Sequence, residues 1–120
     1  MAADPRRDTG AAGEDAVAAW YVAQGFAIVD RNWRVREGEI DLVARRASLV
    51  VFCEVKTRRG SGFGLPVEAV TVKKRQRLRL LARLWLAAHP MRVADLRFDV
   101  ASVLPDGAGG WSIDVLEAAF

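Results

Sequence analysis

The sequence predicts an α/β fold, a mixed β-sheet flanked by helices in the order α-β-β-β-α-β-β, and three observations predict it. Apolar residues recur at helical spacing in two separate stretches, one near the start and one over 71–88. Between and after them lie short runs that either alternate or are continuously β-branched and aromatic, the patterns of half-buried and fully buried strands. The chain has 120 residues, 52% of them hydrophobic and 28% charged, which suits one folded domain with one core rather than a disordered chain.

Residues 1–10, with Pro5 and mixed charges, are expected as a flexible tail, and 11–120 as a single domain. Ala16, Val17, Trp20 and Tyr21 fall on one helical face, so a first helix is expected over 11–24, with Gly25 ending it. Phe26 to Val29 reads as a short strand. From Glu39 to Ala44 acid and aliphatic residues alternate, which predicts Glu39, Asp41 and Val43 on one face and Ile40, Leu42 and Ala44 on the other. Leu49 to Val55 is apolar enough for a buried strand. The glycine-rich stretch 57–66 predicts a flexible loop. A second helix follows over 71–88, stopped by His89-Pro90, with Leu78, Leu81, Ala82 and Trp85 as its packing face. Strands over 96–103 and 111–116, joined through Asp106-Gly107 and Gly109-Gly110, complete the order.

Composition narrows the function. No apolar run approaches the ~20 residues of a membrane-spanning helix, and no apolar stretch follows Arg6-Arg7 as a secretory leader would require. Cys53 is the single cysteine, so no internal disulfide forms, which fits a reducing cytoplasm. With His89 the one histidine, cysteine- and histidine-based metal clusters are excluded, leaving a hard cation on carboxylates. Charge points to a partner. Between Ala69 and Ala94 there are seven basic residues and no acid, and Arg31, Arg34 and Arg36 surround Asn32-Trp33. Clusters of this kind suit a polyanion, nucleic acid above all, although a solvated helix face carries the same pattern.

The chemistry-bearing feature is Asp41, then twelve residues, then Glu54-Val55-Lys56. On a strand Glu54 and Lys56 share a face, and an acid at the end of so apolar a run is costly without a partner or a task. A tight turn at Ala47-Ser48 sets Arg46 opposite Leu49, and therefore Asp41 opposite Glu54 and Glu39 opposite Lys56. Two carboxylates that close repel unless a cation separates them, so a divalent ion on Asp41 and Glu54 is expected, with the Val55 carbonyl in reach. Mg²⁺ or Mn²⁺ held this way suits phosphodiester hydrolysis, with Lys56 stabilising charge or orienting water. The alternative is a surface Glu-Lys pair beside an exposed Asp.

The run Gly38-Glu39-Ile40-Asp41-Leu42-Val43-Ala44, followed by Val51-Phe52-Cys53-Glu54-Val55-Lys56-Thr57-Arg58, resembles the YraN family of small bacterial proteins. Gly13-Glu14, Arg31-Asn32-Trp33-Arg34, the basic second helix and Arg97-Phe98-Asp99-Val100 extend the likeness over about 12–117. That family is similar to the PD-(D/E)xK nucleases and, among them, to archaeal Holliday-junction resolvases. The resemblance implies a restriction-endonuclease-like, resolvase-like fold and a single nuclease-like domain. It makes Asp41 and Glu54 metal ligands, Lys56 the catalytic lysine, and Glu14 an acid completing the site from across the sheet. No proline precedes Asp41, as it does in the motif's name; resolvase-like members often lack it. The implied function is a metal-dependent endonuclease on DNA, branched or otherwise structured DNA included, with no membrane partner and with room for a homodimer. The alternative is a non-catalytic nucleic-acid-binding protein that retains the fold.

Arg75, Arg79 and Arg83 form a stripe at i, i+4, i+8 on the second helix, Lys73 and Arg77 form a shorter stripe beside it, and Lys74 lies nearby. Arg34, Lys73, Lys74, Arg75, Arg79 and Arg83 are the expected phosphate contacts, and Gln76 is placed to meet a scissile phosphate. Glu39 reads as the partner of Lys56 or of an arginine, Arg97-Asp99 as a structural ion pair, and Trp20, Trp85 and Trp111 as core; Trp33, between Arg31 and Arg34, is expected to pack on the sheet, the alternative being to stack on an unpaired base.

Overall fold

The computed structural model describes residues 5–57 and 71–120, with side chains from Ala11 onward. The expected loop over 57–66 lies outside them beyond Thr57. The element order is as the sequence predicts: α1 (Pro5–Ala23), β1 (Ala27–Val35), β2 (Gly38–Arg46), β3 (Leu49–Thr57), α2 (Val72–Ala88), β4 (Asp95–Pro105) and β5 (Trp111–Leu116). The first helix begins at Pro5 instead of near residue 11; proline suits a first helical position because its missing N–H has no helical partner there anyway. Gly25 ends this helix at φ +88°, a conformation that costs a residue with a Cβ and costs glycine nothing. Thr71 caps α2, its hydroxyl accepting the Lys74 N–H at 3.2 Å.

The five strands form one mixed sheet in sequential order. β1–β2, β2–β3 and β4–β5 pair antiparallel, and β3–β4 pair parallel, with α2 as the crossover. The two helices cover opposite faces. Leu78, Leu81, Ala82 and Trp85 of α2 pack with Val43, Val50, Phe52 and Val100. Val17 and Tyr21 of α1 pack with Leu42, Ala44, Val51, Cys53, Ala101 and Val103. The predicted packing face of α2 is the observed one, and Trp20, Trp33, Trp85 and Trp111 all pack on one core cluster or the other. Arg97 and Asp99 are indeed paired. The Asp99 carboxylate, fully buried, accepts two guanidinium bonds from Arg97 at 2.9 and 3.0 Å, the Tyr21 hydroxyl at 2.6 Å and the Ala118 N–H at 3.0 Å. A buried charge so fully bonded is tolerated.

One expectation fails, and the failure positions the site. Alternation should put Ile40, Leu42 and Ala44 on one face. Instead Ile40 lies with Val43 on the α2 side, while Leu42 and Ala44 lie on the α1 side. β1 changes face at the matching place: Arg31 reaches the acids of α1, whereas Trp33 packs toward α2. The pairs Arg31–Leu42 and Trp33–Ile40 bracket Asn32 and Asp41, which are not themselves paired. Asn32 has φ +52°, the left-handed region that asparagine enters more readily than most residues. Both strands therefore turn over together at Asn32 and Asp41. Replacing Asn32 by valine should cost about 1–2 kcal/mol, while Asn32→Gly should stay within a few tenths; urea titrations of both variants check this.

Candidate functional site

Asp41 occupies the break in the sheet. The β2–β3 register runs from Arg46–Leu49 to Leu42–Cys53 and stops there, one step short of the expected Asp41–Glu54 pair. The turn lies at Ala47-Ser48 as the sequence predicts, but the ladder does not reach the acids. Beyond the last pair the Asp41 carboxylate accepts the Val55 N–H at 2.8 Å, so a side chain takes the place of a backbone acceptor. Glu54 shares the α2 side with Phe52 and turns toward two cations: Lys56 Nζ at 3.0 Å and Lys74 Nζ at 3.6 Å. Lys74, expected to contact phosphate from the helix, is thus part of the acid cluster. No signal in the sequence puts it there, because its position follows from how α2 docks on the sheet.

Glu14 approaches from α1, on the other side. Arg31 holds it at 3.7 Å and its neighbour Asp15 at 2.7 Å. The helix comes this close because of Gly13: a Cβ there would overlap the Thr57 hydroxyl and lie 3.2 Å from its Cγ2. Glu39 pairs with Arg34 at 2.9 Å, so its partner is the arginine and not Lys56. On α2, Lys73, Gln76, Arg79 and Arg83 are exposed and Arg75 is half-buried. Arg75 and Arg79 lie over the Phe120 ring, 5.8 and 5.5 Å from its centre. That ring stacks on Phe98, which stacks on Phe52. The Arg75 Nε is buried without a partner among the described residues. The stripe is therefore anchored to the core by an aromatic column at one end and open to solvent at the other. His89 caps α2, stacking on Trp85 and lying 3.7 Å from Asp30, away from the acids.

The electrostatics follow from this crowding. Burial first, then Glu54, Glu14 and Glu39, push Asp41 up to about 7, although the Val55 N–H favours its charged form. Burial works against the Lys56 ammonium, but contact with Glu54 and the field of Asp41 outweigh it and hold its pKa above the usual lysine value. Lys74 is pushed down, by Lys56 first and by burial second. Burial raises the Cys53 thiol, so it is an inert core group. Among the described residues no three or more Asp, Glu, His or Cys side chains come together in a group that could hold a metal ion. None of their helices is long and apolar enough to cross a membrane.

Comparison with known proteins identifies the lineage. The profile described as "Uncharacterised protein family UPF0102" matches residues 13–103. The chain belongs to that family. It is the family to which the YraN resemblance points, and the match spans Glu14, Asp41, Glu54, Lys56 and α2 together. The chain is similar to the UPF0102 protein of Clavibacter michiganensis subsp. michiganensis, 49% identical over 113 residues, covering 94% of this chain and 96% of that one. It is also similar to the UPF0102 protein of Nocardia farcinica, 53% identical over 111 residues (92% and 87%), and to that of Frankia alni, 46% identical over 120 residues (100% of both). This UPF0102 chain thus aligns with its relatives over nearly their whole length.

A carboxyl whose folded pKa is raised favours folding when protonated; for Asp41, at about 7 against an ordinary 3.8, that contribution is complete below the lower value and lost as pH rises through the upper one. Asp41→Asn, neutral at every pH and still able to accept the Val55 N–H, should stabilise the protein above pH ~7 by on the order of 2 kcal/mol. It should change little below pH ~4. Urea titrations at both pH values in the presence of EDTA measure the difference.

Proposed function

We propose that the protein is a metal-dependent endonuclease that hydrolyses DNA phosphodiester bonds, branched or structured DNA included, on a restriction-endonuclease-like, resolvase-like fold. One observation carries this reading: Asp41, Glu54 and Lys56 meet just past the end of the β2–β3 ladder, with Asp41 largely buried among like charges. An acid lifted to about 7 by burial and like charge is a ligand that gains by binding a cation. The donors are all oxygen, and a pair of carboxylates without a closed cage suits Mg²⁺ or Mn²⁺, which keep waters and share a substrate phosphate. Asp41 and Glu54 would hold the ion; the family resemblance adds Glu14 from α1, where Arg31 lies 3.7 Å from it. Bound there, the ion would polarise the phosphoryl oxygen and acidify a water.

The protein's own groups supply the rest. Lys56, charged and 3.0 Å from Glu54 Oε1, places a cation where negative charge grows on the phosphoryl group. Arg75, Arg79 and Arg83, with Lys73 and Arg34, offer charge to the flanking phosphates, and Gln76 is exposed at the same end of α2 as Lys74. A second reading, a non-catalytic nucleic-acid-binding protein, is favoured by one feature: Glu54 is already answered by two lysines, a closed ion pair that needs no metal.

Calorimetry with Mn²⁺ separates the two. The parent should bind one ion and Asp41→Asn none; a parent that binds no ion yet binds DNA is the non-catalytic protein. In Mg²⁺- or Mn²⁺-dependent cutting of linear, flapped and four-way-junction DNA, Lys56→Ala should lose at least about a hundredfold in rate with little loss of binding. For the stripe, substituting Arg75, Arg79 and Arg83 together by Gln should lower the slope of log affinity against log salt by about 0.9 per lost contact on duplex DNA. An unchanged slope would show that the stripe is only a solvated face.

A further inference from the structure

Beside Glu54 a cavity of about 120 Å³ opens between the start of β2 and the first turns of α2. A half-open cavity of that size has room for a phosphate group. Leu78 and Leu81 form its apolar side, and Lys74 and Arg77 its basic side. Gly38 lines one side: a Cβ added there would lie 3.3 Å from Leu81 Cδ1 and 3.4 Å from Arg77 Cδ, so strand and helix are already in contact. The acids in the wall are answered by other groups. Glu39 is held by Arg34 at 2.9 Å, and Glu54 is held more closely by Lys56, at 3.0 Å, than by Lys74, at 3.6 Å. The Lys74 ammonium has three donors, and Arg77 makes no ion pair among the described residues.

Resting on the nucleic-acid reading above, we propose that this cavity holds the terminal phosphomonoester of a nucleic-acid strand, with Lys74 and Arg77 on its oxygens and the adjoining sugar against Leu78 and Leu81. A terminal phosphate carries about −1.5 to −2 charges, more than the single charge of an internal diester, and so gains more from two cations set among half-neutralised acids. The arginine fork binds two phosphate oxygens at once. The contact between Gly38 and α2 bounds the cavity on one side, and the preference for an end over a continuous backbone rests on the extra charge of a terminal phosphate. The site adjoins Glu54, so an end held there sets the distance from that end to the acids.

The test is fluorescence anisotropy in EDTA with one labelled single-stranded oligonucleotide in three forms: 5′-phosphorylated, 3′-phosphorylated and unphosphorylated. The parent should bind at least one phosphorylated form about tenfold more tightly than the unphosphorylated one, the scale of a hydrogen-bonded charge. Arg77→Gln should abolish the difference, Arg77→Lys should keep part of it, and Arg83→Gln should weaken all three forms equally. Thymidine 5′-monophosphate should compete where thymidine does not, a measurement that needs no variant. Equal binding of the three forms by the parent overturns the proposal, as does a preference that survives Arg77→Gln. Because metal is absent, the result is independent of cutting. A protein that prefers phosphorylated ends but never cuts keeps the cavity and loses the nuclease; one that cuts without any end preference does the reverse.

Discussion

Asp41 can sit where it does only because two adjacent strands turn over together. A strand that simply alternated would have sent its carboxylate to one face, to solvent or into the core. The paired reversal at Asn32 and Asp41 instead leaves a gap between β2 and β3, and the Asp41 carboxylate fills it by accepting the Val55 N–H. That single bond ties β2 to β3 beyond their last backbone pair, on the strand carrying Glu54 and Lys56. It also draws the acid into a poorly hydrated place, where neighbouring Glu54, Glu14 and Glu39 make its charge expensive. The arrangement spends stability on a cluster of like charges, the usual sign that a site serves something other than folding.

The remainder of the molecule steadies that gap from both sides. On the α1 face, Gly13 lets the helix rest against Thr57, and Arg31 reaches across to Glu14 and Asp15. On the α2 face, Thr71 caps the helix at the residue whose N–H belongs to Lys74, fixing where that ammonium enters. Farther out, Asp99 binds Arg97, Tyr21 and Ala118 together. The Phe52–Phe98–Phe120 column supports two arginines of the stripe. A buried ion pair on one face and an aromatic stack on the other make the sheet a stiff platform, which a site built at a strand break requires.

The acid cluster and the basic helix belong to one surface, and Lys74 joins them. It bonds Glu54 at one end of α2 while Arg77, a turn later, faces the cavity. A phosphate-bearing ligand drawn along the helix would therefore arrive beside Asp41 and Glu54 without any rearrangement of the sheet. This continuity puts the acids at the strand break and the basic side chains of α2 on one surface.

Periodicity and turn chemistry determined the element order, the packing face of α2, the Gly25 end of α1 and the Ala47-Ser48 turn, because each depends on neighbours within a few residues. The spacing of Asp41, Glu54 and Lys56 was legible for the same reason: one hairpin carries all three. Three things were decided only by tertiary structure. The face reversal at Asn32 and Asp41 arises from two strands adjusting to each other, and the local pattern ends its first strand at Val29, whereas β1 runs on through Asn32 to Val35. Lys74 reaches Glu54 because of the angle at which α2 lies on the sheet, and Arg31 reaches Glu14 because α1 lies close on the other side. Contacts of that kind join residues 17 to 20 positions apart across layers, a separation over which no repeat in the sequence carries information.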